Sequence, residues 1–148
     1  MRYSRTATCR FAVASWSEDV VVDIDGEDQG TRAGDLYYPR RGFTRADVGY
    51  TYTGDLAATS RLTYLIAYEP DGAPVVGLEQ VTGTLDGHDG SFVFQHTGWQ
   101  DAGSVRGRLE VVPGLGTGGL VGLRGEADLE IAGHSDEGYE LVLRYDVD

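Results

Sequence analysis

The chain has few residues suited to cross-linking, kinking or crossing a membrane. Cys9 is the one cysteine in 148 residues, so no internal disulfide can form, and that suits a reducing compartment. In the stretch TATCRFAVASW it reads as a small buried apolar residue rather than a nucleophile. No apolar run approaches the roughly 18 residues of a membrane helix. The N-terminus lacks the charged-then-apolar pattern of a secretion signal, which leaves a soluble cytoplasmic protein as the expectation. Basic residues are also scarce, 12 against 24 acidic for a formal charge of −12, and such a field repels nucleic acid and anionic membranes.

Recognisable catalytic and metal motifs are missing too. His88, His96 and His134 are scattered, without H-x-H or H-E-x-x-H spacing, so a protein-built metal site is not expected. Serine, histidine and aspartate all occur, but no strand-to-helix elbow exists to expose a nucleophile. Gly114 to Gly119 (GLGTGG) spells G-x-G-x-x-G, yet no helix follows it, which leaves a glycine-rich connection or bulge.

What is present is β-forming. Four prolines stand beside 22 glycines, with many threonines, valines and tyrosines and no sustained helical period. The length suits one domain spanning residues 1–148. In the first strand, Thr6–Trp16, Cys9, Phe11 and Val13 share a face. From Ser17 to Phe43 the pattern dissolves into a long loop or lid, with one possible short strand at Val20–Ile24. Thr44–Thr53 and Leu56–Tyr68 form a hairpin around Gly54-Asp55, and Glu69-Pro70-Asp71-Gly72 is a turn. Val75–Leu85 and Ser91–Trp99 form the central hairpin around Asp86-Gly87-His88-Asp89-Gly90. After a turn at Gln100–Gly103, alternation returns in Ser104–Val112, Ala127–Ile131 and Tyr139–Val147. About eight antiparallel strands with short turns are best freed of exposed edges by closing into an up-and-down barrel.

Glu79 and His96 stand out because both sit mid-strand among apolar residues, where a charge is costly unless paired. A four-residue loop pairing Asp86 with Ser91 sets Val81 opposite His96 and Glu79 opposite Gly98. That register puts Glu79 and His96 on one face with Phe92 and Phe94; a slip of one residue would separate them. A desolvated glutamate beside a histidine makes an acid or base near neutral pH, or else a fastener inside the barrel. Tyr50, Tyr52, Tyr64 and Tyr68 alternate on neighbouring strands, so some face inward as core or as the aromatic wall of a cavity. Trp16 and Trp99, each ending a strand, read as rim residues, and Phe94 and Gln95 complete the candidate site.

The segments GLEQVTGTLDGHDGSFVFQHTG, VVPGLGTGGLVGLRGEADLE and YELVLRYDVD resemble the bacterial domain-of-unknown-function 3224 family, within the allene oxide cyclase-like barrels. The likeness covers Thr44–Asp148 and the first strand up to Ser15-Trp16. It implies an eight-stranded antiparallel barrel, allene oxide cyclase-like or lipocalin-like, with a central cavity. Superfamily relatives include plant allene oxide cyclases, dirigent proteins and spirotetronate-forming cyclases, which hold a reactive apolar molecule and steer how it closes or couples. The family pattern carries onto Glu79, Gln95, His96 and Gly116-Thr117-Gly118. The long Ser17–Phe43 segment and the aromatic Tyr50, Tyr52 and Trp99 depart from it.

The resulting expectation is a cofactor-independent cyclase or isomerase acting on a hydrophobic, polyketide-like intermediate. Glu79 and His96 would serve as acid or base, or polarise a carbonyl; Trp16, Tyr50, Tyr52, Tyr64, Tyr68, Phe94, Gln95 and Trp99 would bind the ligand. The alternatives are a non-catalytic carrier of an apolar small molecule and a filled barrel. The expected partner is a hydrophobic small molecule, with a homo-oligomer possible.

Overall fold

The computed structural model describes residues 2–26, 29–34, 36–101, 104–132 and 137–147. Strand β1 is Arg5–Asp23, and β2 (Thr31–Ala33) and β3 (Leu36–Tyr38) form a small separate hairpin. Next come β4 (Gly42–Gly54), β5 (Leu56–Tyr68), β6 (Ala73–Leu85), β7 (His88–Asp101) and β8 (Ser104–Val111). A two-residue β9 (Thr117–Gly118), β10 (Arg124–Ala132) and β11 (Tyr139–Asp146) follow.

Eight of these strands close on themselves in the order β1-β4-β5-β6-β7-β8-β10-β11, each antiparallel to its neighbours, with β11 returning to β1. Every long strand therefore has two partners, which removes the open edges an eight-stranded meander would otherwise expose. Side-chain alternation fills the interior: Phe11, Tyr52, Leu62, Val81, Phe92, Phe94, Leu109, Leu141 and Leu143 are all buried. One end is packed shut by Leu56, Leu85, Leu120, Leu123 and Tyr145. The Tyr145 hydroxyl there donates to the Asp86 carboxylate.

The central hairpin differs from its expected register. Leu85 pairs with His88, Glu79 with Phe94 and Gly77 with His96, a displacement of four residues along β6. The cause is a two-residue loop in place of a four-residue one: Asp86 at φ +46° and Gly87 at φ +86° make the doubly left-handed Asp-Gly turn that matches strand twist. Because the displacement is even, Glu79 and His96 still share the inner face with Phe92 and Phe94. His88 opens β7 instead of occupying the loop tip, while His134 lies outside the described residues.

Two further differences concern β1. It does not end at Trp16 but runs on to Asp23, pairing with β4 down to Gly42, so the first part of the expected 17–43 loop is strand. The register also shifts between Val13 and Ser15, a bulge that places both Val13 and Trp16 toward the barrel interior at its open end. Val13 keeps the face of Cys9 and Phe11 but lies at the open end, where it is 49% exposed.

The glycine-rich segment is the connection expected of it. Thr117 and Gly118 pair with Ser91 and Gly90 of β7. A Cβ on Gly90 would meet the Thr117 carbonyl oxygen at 2.1 Å, so the close pairing needs glycine there. The outer wall is divided in character. Across β8, β10 and β11, Arg108 pairs with Glu110 and Glu126, and Arg144 with Glu126 and Asp128. Across β5, β6 and β7, Leu65, Val76, Leu78 and Trp99 stand exposed. No helix among the described residues is long and apolar enough to cross a membrane.

Candidate functional site

The open end of the barrel holds a pocket of about 360 Å³. Tyr50 on β4, Tyr64, Ile66 and Tyr68 on β5, and Val75 on β6 form much of its wall. Val105, Ile131 and Tyr139 complete the wall, with Val13, Trp16 and Glu18 of β1 and Tyr38 of β3 also lining it. The aromatic rings are packed against one another: Phe11 lies 4.9 Å from Tyr50 and 5.5 Å from Tyr139 between centroids, and Tyr38 lies 5.6 Å from Tyr68. A mostly apolar wall with a few fixed hydroxyls suits a small organic ligand. A second depression of about 690 Å³ lies on the outer face, bordered by Ser15, Arg45, Asp47, Arg61, Thr63 and Gln80. Its rim is mainly polar, with Trp16 shared between the two depressions, so it offers an apolar molecule little burial.

Beneath the pocket floor runs a continuous hydrogen-bonded chain. Glu79 is fully buried, with Oε1 2.7 Å from His96 Nε2 and Oε2 accepting from the Tyr52 hydroxyl at 2.6 Å. His96 Nδ1 lies 3.1 Å from the Tyr64 hydroxyl, which lies 3.4 Å from the Tyr50 hydroxyl. With Glu79 a carboxylate and His96 neutral, only one set of donors satisfies every link. Tyr50 donates to Tyr64, Tyr64 to Nδ1, and Nε2–H to Glu79. Moving one proton from the pocket side to His96 reverses the first two links. The imidazolium then donates to Tyr64, Tyr64 to Tyr50, and the Tyr50 hydroxyl turns its hydrogen toward the pocket. The same atoms can therefore take a proton from a ligand or deliver one.

Burial also sets the state of the tyrosines. It pushes the Tyr52 and Tyr64 phenols well above their ordinary value and raises Tyr50 as well, with the Glu79 charge adding to each. These groups therefore stay protonated, as neutral hydroxyls. Cys9, pushed up to about 12 chiefly by burial, is an inert thiol directed at the Leu141 carbonyl 3.5 Å away.

The candidate residues fall into three places. Trp16, Tyr50, Tyr64 and Tyr68 line the pocket. Glu79, His96 and Tyr52 lie beneath it in the hydrogen-bonded chain, and Phe94 is wholly buried with its ring edge-on to Phe92 and His96. Gln95 and Trp99 point away from the interior, on the outer face of β7, where Trp99 stands opposite Pro74. Among the described residues no three metal-ligating side chains cluster.

Glu18 is the residue that sequence reasoning missed. It lies at the pocket mouth, where Oε2 accepts from the Tyr68 hydroxyl and the Thr44 hydroxyl, each at 2.5 Å. Its Oε1 accepts from Trp16 Nε1 at 3.0 Å. The alternation of Trp16, Glu18 and Val20 against Ser17 and Asp19 was the available signal, and the run of acidic residues around it masked the strand.

Fold and site together define a closed eight-stranded antiparallel barrel with an aromatic pocket at one end. The family model described as "Protein of unknown function (DUF3224)" matches residues 7–143, and the chain belongs to that family. A crystal structure of a DUF3224 protein of unknown function from Shewanella oneidensis MR-1 is similar throughout, with a TM-score of 0.68 and 26% identity. The match covers 97% of this chain and 98% of that one. No curated protein matches the chain.

Proposed function

We propose that this protein is a small-molecule barrel that seats a mainly apolar, oxygen-bearing ligand in its open end and moves a proton on it, as a cofactor-independent isomerase or cyclase does. The observation that carries this reading is the unbroken link from the pocket tyrosines, Tyr50 and Tyr64, through His96 to the buried carboxylate of Glu79. A ligand hydroxyl beside Tyr50 would give its proton to, and a ligand carbonyl would take one from, a relay held out of water. Positioning would supply the rest, since an apolar wall that fixes a flexible chain near its reacting geometry lowers the barrier without any cofactor. In this scheme Tyr50 and Tyr64 touch the ligand, while Glu79 and His96 act through them. Kinship with the allene oxide cyclase-like barrels, and a polyketide-like substrate, belong to the same proposal.

A carrier without chemistry is the second reading. It is favoured by the fact that both oxygens of Glu79 and both nitrogens of His96 already have partners inside the protein. The deciding experiment is native mass spectrometry of the protein from its producing organism, with identification of any released compound and its re-incubation with fresh protein. A stoichiometric apolar compound converted by wild type, and converted 10²-fold to 10⁴-fold more slowly by His96→Phe, supports proton transfer. A compound recovered unchanged from wild type supports the carrier, and a ligand-free chain that also rejects apolar probes removes both.

A further inference from the structure

We propose that the ligand carries a positive charge, an amine or ammonium group, which sits at the pocket mouth against Glu18 with Trp16, Tyr38 and Tyr68 around it. The proposal rests on the reading of the pocket as a ligand site and adds the chemical class of what enters it.

The starting point is an uncompensated charge. Glu18 is the one charged side chain among the thirteen residues that line the pocket. Its partners are three neutral donors, the Trp16 indole, the Thr44 hydroxyl and the Tyr68 hydroxyl, and it forms no ion pair among the described residues. A half-buried carboxylate without a counter-ion is costly to hold beside apolar surface, and a cation arriving with the ligand would offset that cost. The donors aim the carboxylate without neutralising it.

The surroundings select for a cation in a second, independent way. Trp16 and Tyr68 touch the carboxylate directly, and the Tyr38 ring lies 5.6 Å from that of Tyr68. Glu18 also raises the Tyr38 phenol, after burial, which places the charge close to that ring. A cation held at Glu18 therefore lies beside three π systems, an arrangement that attracts ammonium groups through the ring quadrupole. The net charge of −12 makes the surrounding potential favourable for cation entry and unfavourable for an anion. Nor is there a lysine anywhere in the chain to serve as an internal counter-ion; every basic residue is an arginine, and none lines this pocket. The ligand would be two-ended, with a charged nitrogen at the mouth and an oxygen reaching Tyr50 or Tyr64 at the floor.

The test uses three probes on one skeleton, 4-phenylbutan-1-amine, 4-phenylbutan-1-ol and 4-phenylbutyrate, each displacing the neutral fluorophore N-phenyl-1-naphthylamine from wild type and from Glu18→Gln. In wild type at low salt the amine should bind at least tenfold more tightly than the alcohol, and the carboxylate most weakly. In Glu18→Gln the amine and alcohol should come within about twofold of each other, each affinity corrected for the fluorophore's own affinity in that variant. Should that variant not fold, raising sodium chloride from 20 to 500 mM with wild type should erode the amine's advantage and leave the alcohol's affinity unchanged. An amine that binds no better than the alcohol in wild type overturns the charge assignment while leaving the pocket reading intact. A fluorophore that fails to bind at all overturns the pocket reading, and this inference with it.

Discussion

Glu79→Leu is the most informative single substitution, because it keeps the volume of a buried side chain while deleting the acceptor on which two donors converge. Glu79 accepts from Tyr52 at 2.6 Å and from His96 at 2.7 Å, and none of its surface is exposed. Leucine strands both donors. Each unsatisfied buried group costs about 1–3 kcal/mol, which gives roughly 4 kcal/mol for the pair. Glu79→Gln should cost about half as much, since the amide oxygen still accepts from Tyr52 and the amide nitrogen donates to His96 once its proton moves to Nδ1. With a urea slope of about 2 kcal/mol/M, the denaturation midpoint should fall by about 2 M for leucine and about 1 M for glutamine at an unchanged slope. Adding Tyr52→Phe to Glu79→Leu should recover part of the loss by removing one stranded hydroxyl. A Glu79→Leu midpoint equal to that of wild type would refute the claim that this cluster is a satisfied polar network inside the core.

The other predictions concern single groups. Ser60 is 8% exposed and its hydroxyl has no hydrogen-bond partner among the described residues, so Ser60→Ala should stabilise the fold by about 1 kcal/mol, read as a higher melting temperature in calorimetry. Above pH ~10 the unfolded chain releases tyrosine protons that the folded barrel retains at Tyr50, Tyr52 and Tyr64, whose phenols are raised. Stability is therefore fully present below pH ~10 and falls above it, by roughly 4 kcal/mol per pH unit for the three together; urea titrations at pH 9, 10 and 11 check the slope. Trp16→Ala should weaken binding of an apolar fluorophore, whereas Trp99→Ala, on the outer face, should leave that affinity unchanged. Equal losses in the two variants would place the ligand elsewhere.

The barrel was legible because period-two alternation survives wherever a strand has one wet face, as in Tyr139–Asp146 with Leu141 and Leu143 inward. The pairing of Glu79 with His96 was legible for a subtler reason. Only the parity of the hairpin register decides which face a residue takes, and the loop length was misread by an even number. Two features were hidden. The bulge at Ala14 breaks alternation within β1, so Trp16 could be assigned to the rim but not to an inner wall shared with Val13. Glu18 belongs to an acidic run that reads as solvent-exposed loop, and only its pairing opposite Ala46 of β4 turns it toward the pocket. Gln95 and Trp99 carried suggestive chemistry, but one residue of offset from His96 and Gly98 puts each on the outside.

The central claim is that the open end of the barrel is a ligand pocket, and two-dimensional NMR with an apolar probe tests it most directly. Titrating ¹⁵N- and methyl-labelled protein should shift Trp16 Nε1–H, the backbone amides of Tyr50, Tyr64 and Tyr68, and the methyls of Ile66, Val75 and Val105, with saturation at one equivalent. Shifts confined to Leu65, Val76 and Leu78 on the outer wall, or no saturable shift at the pocket residues, would contradict it.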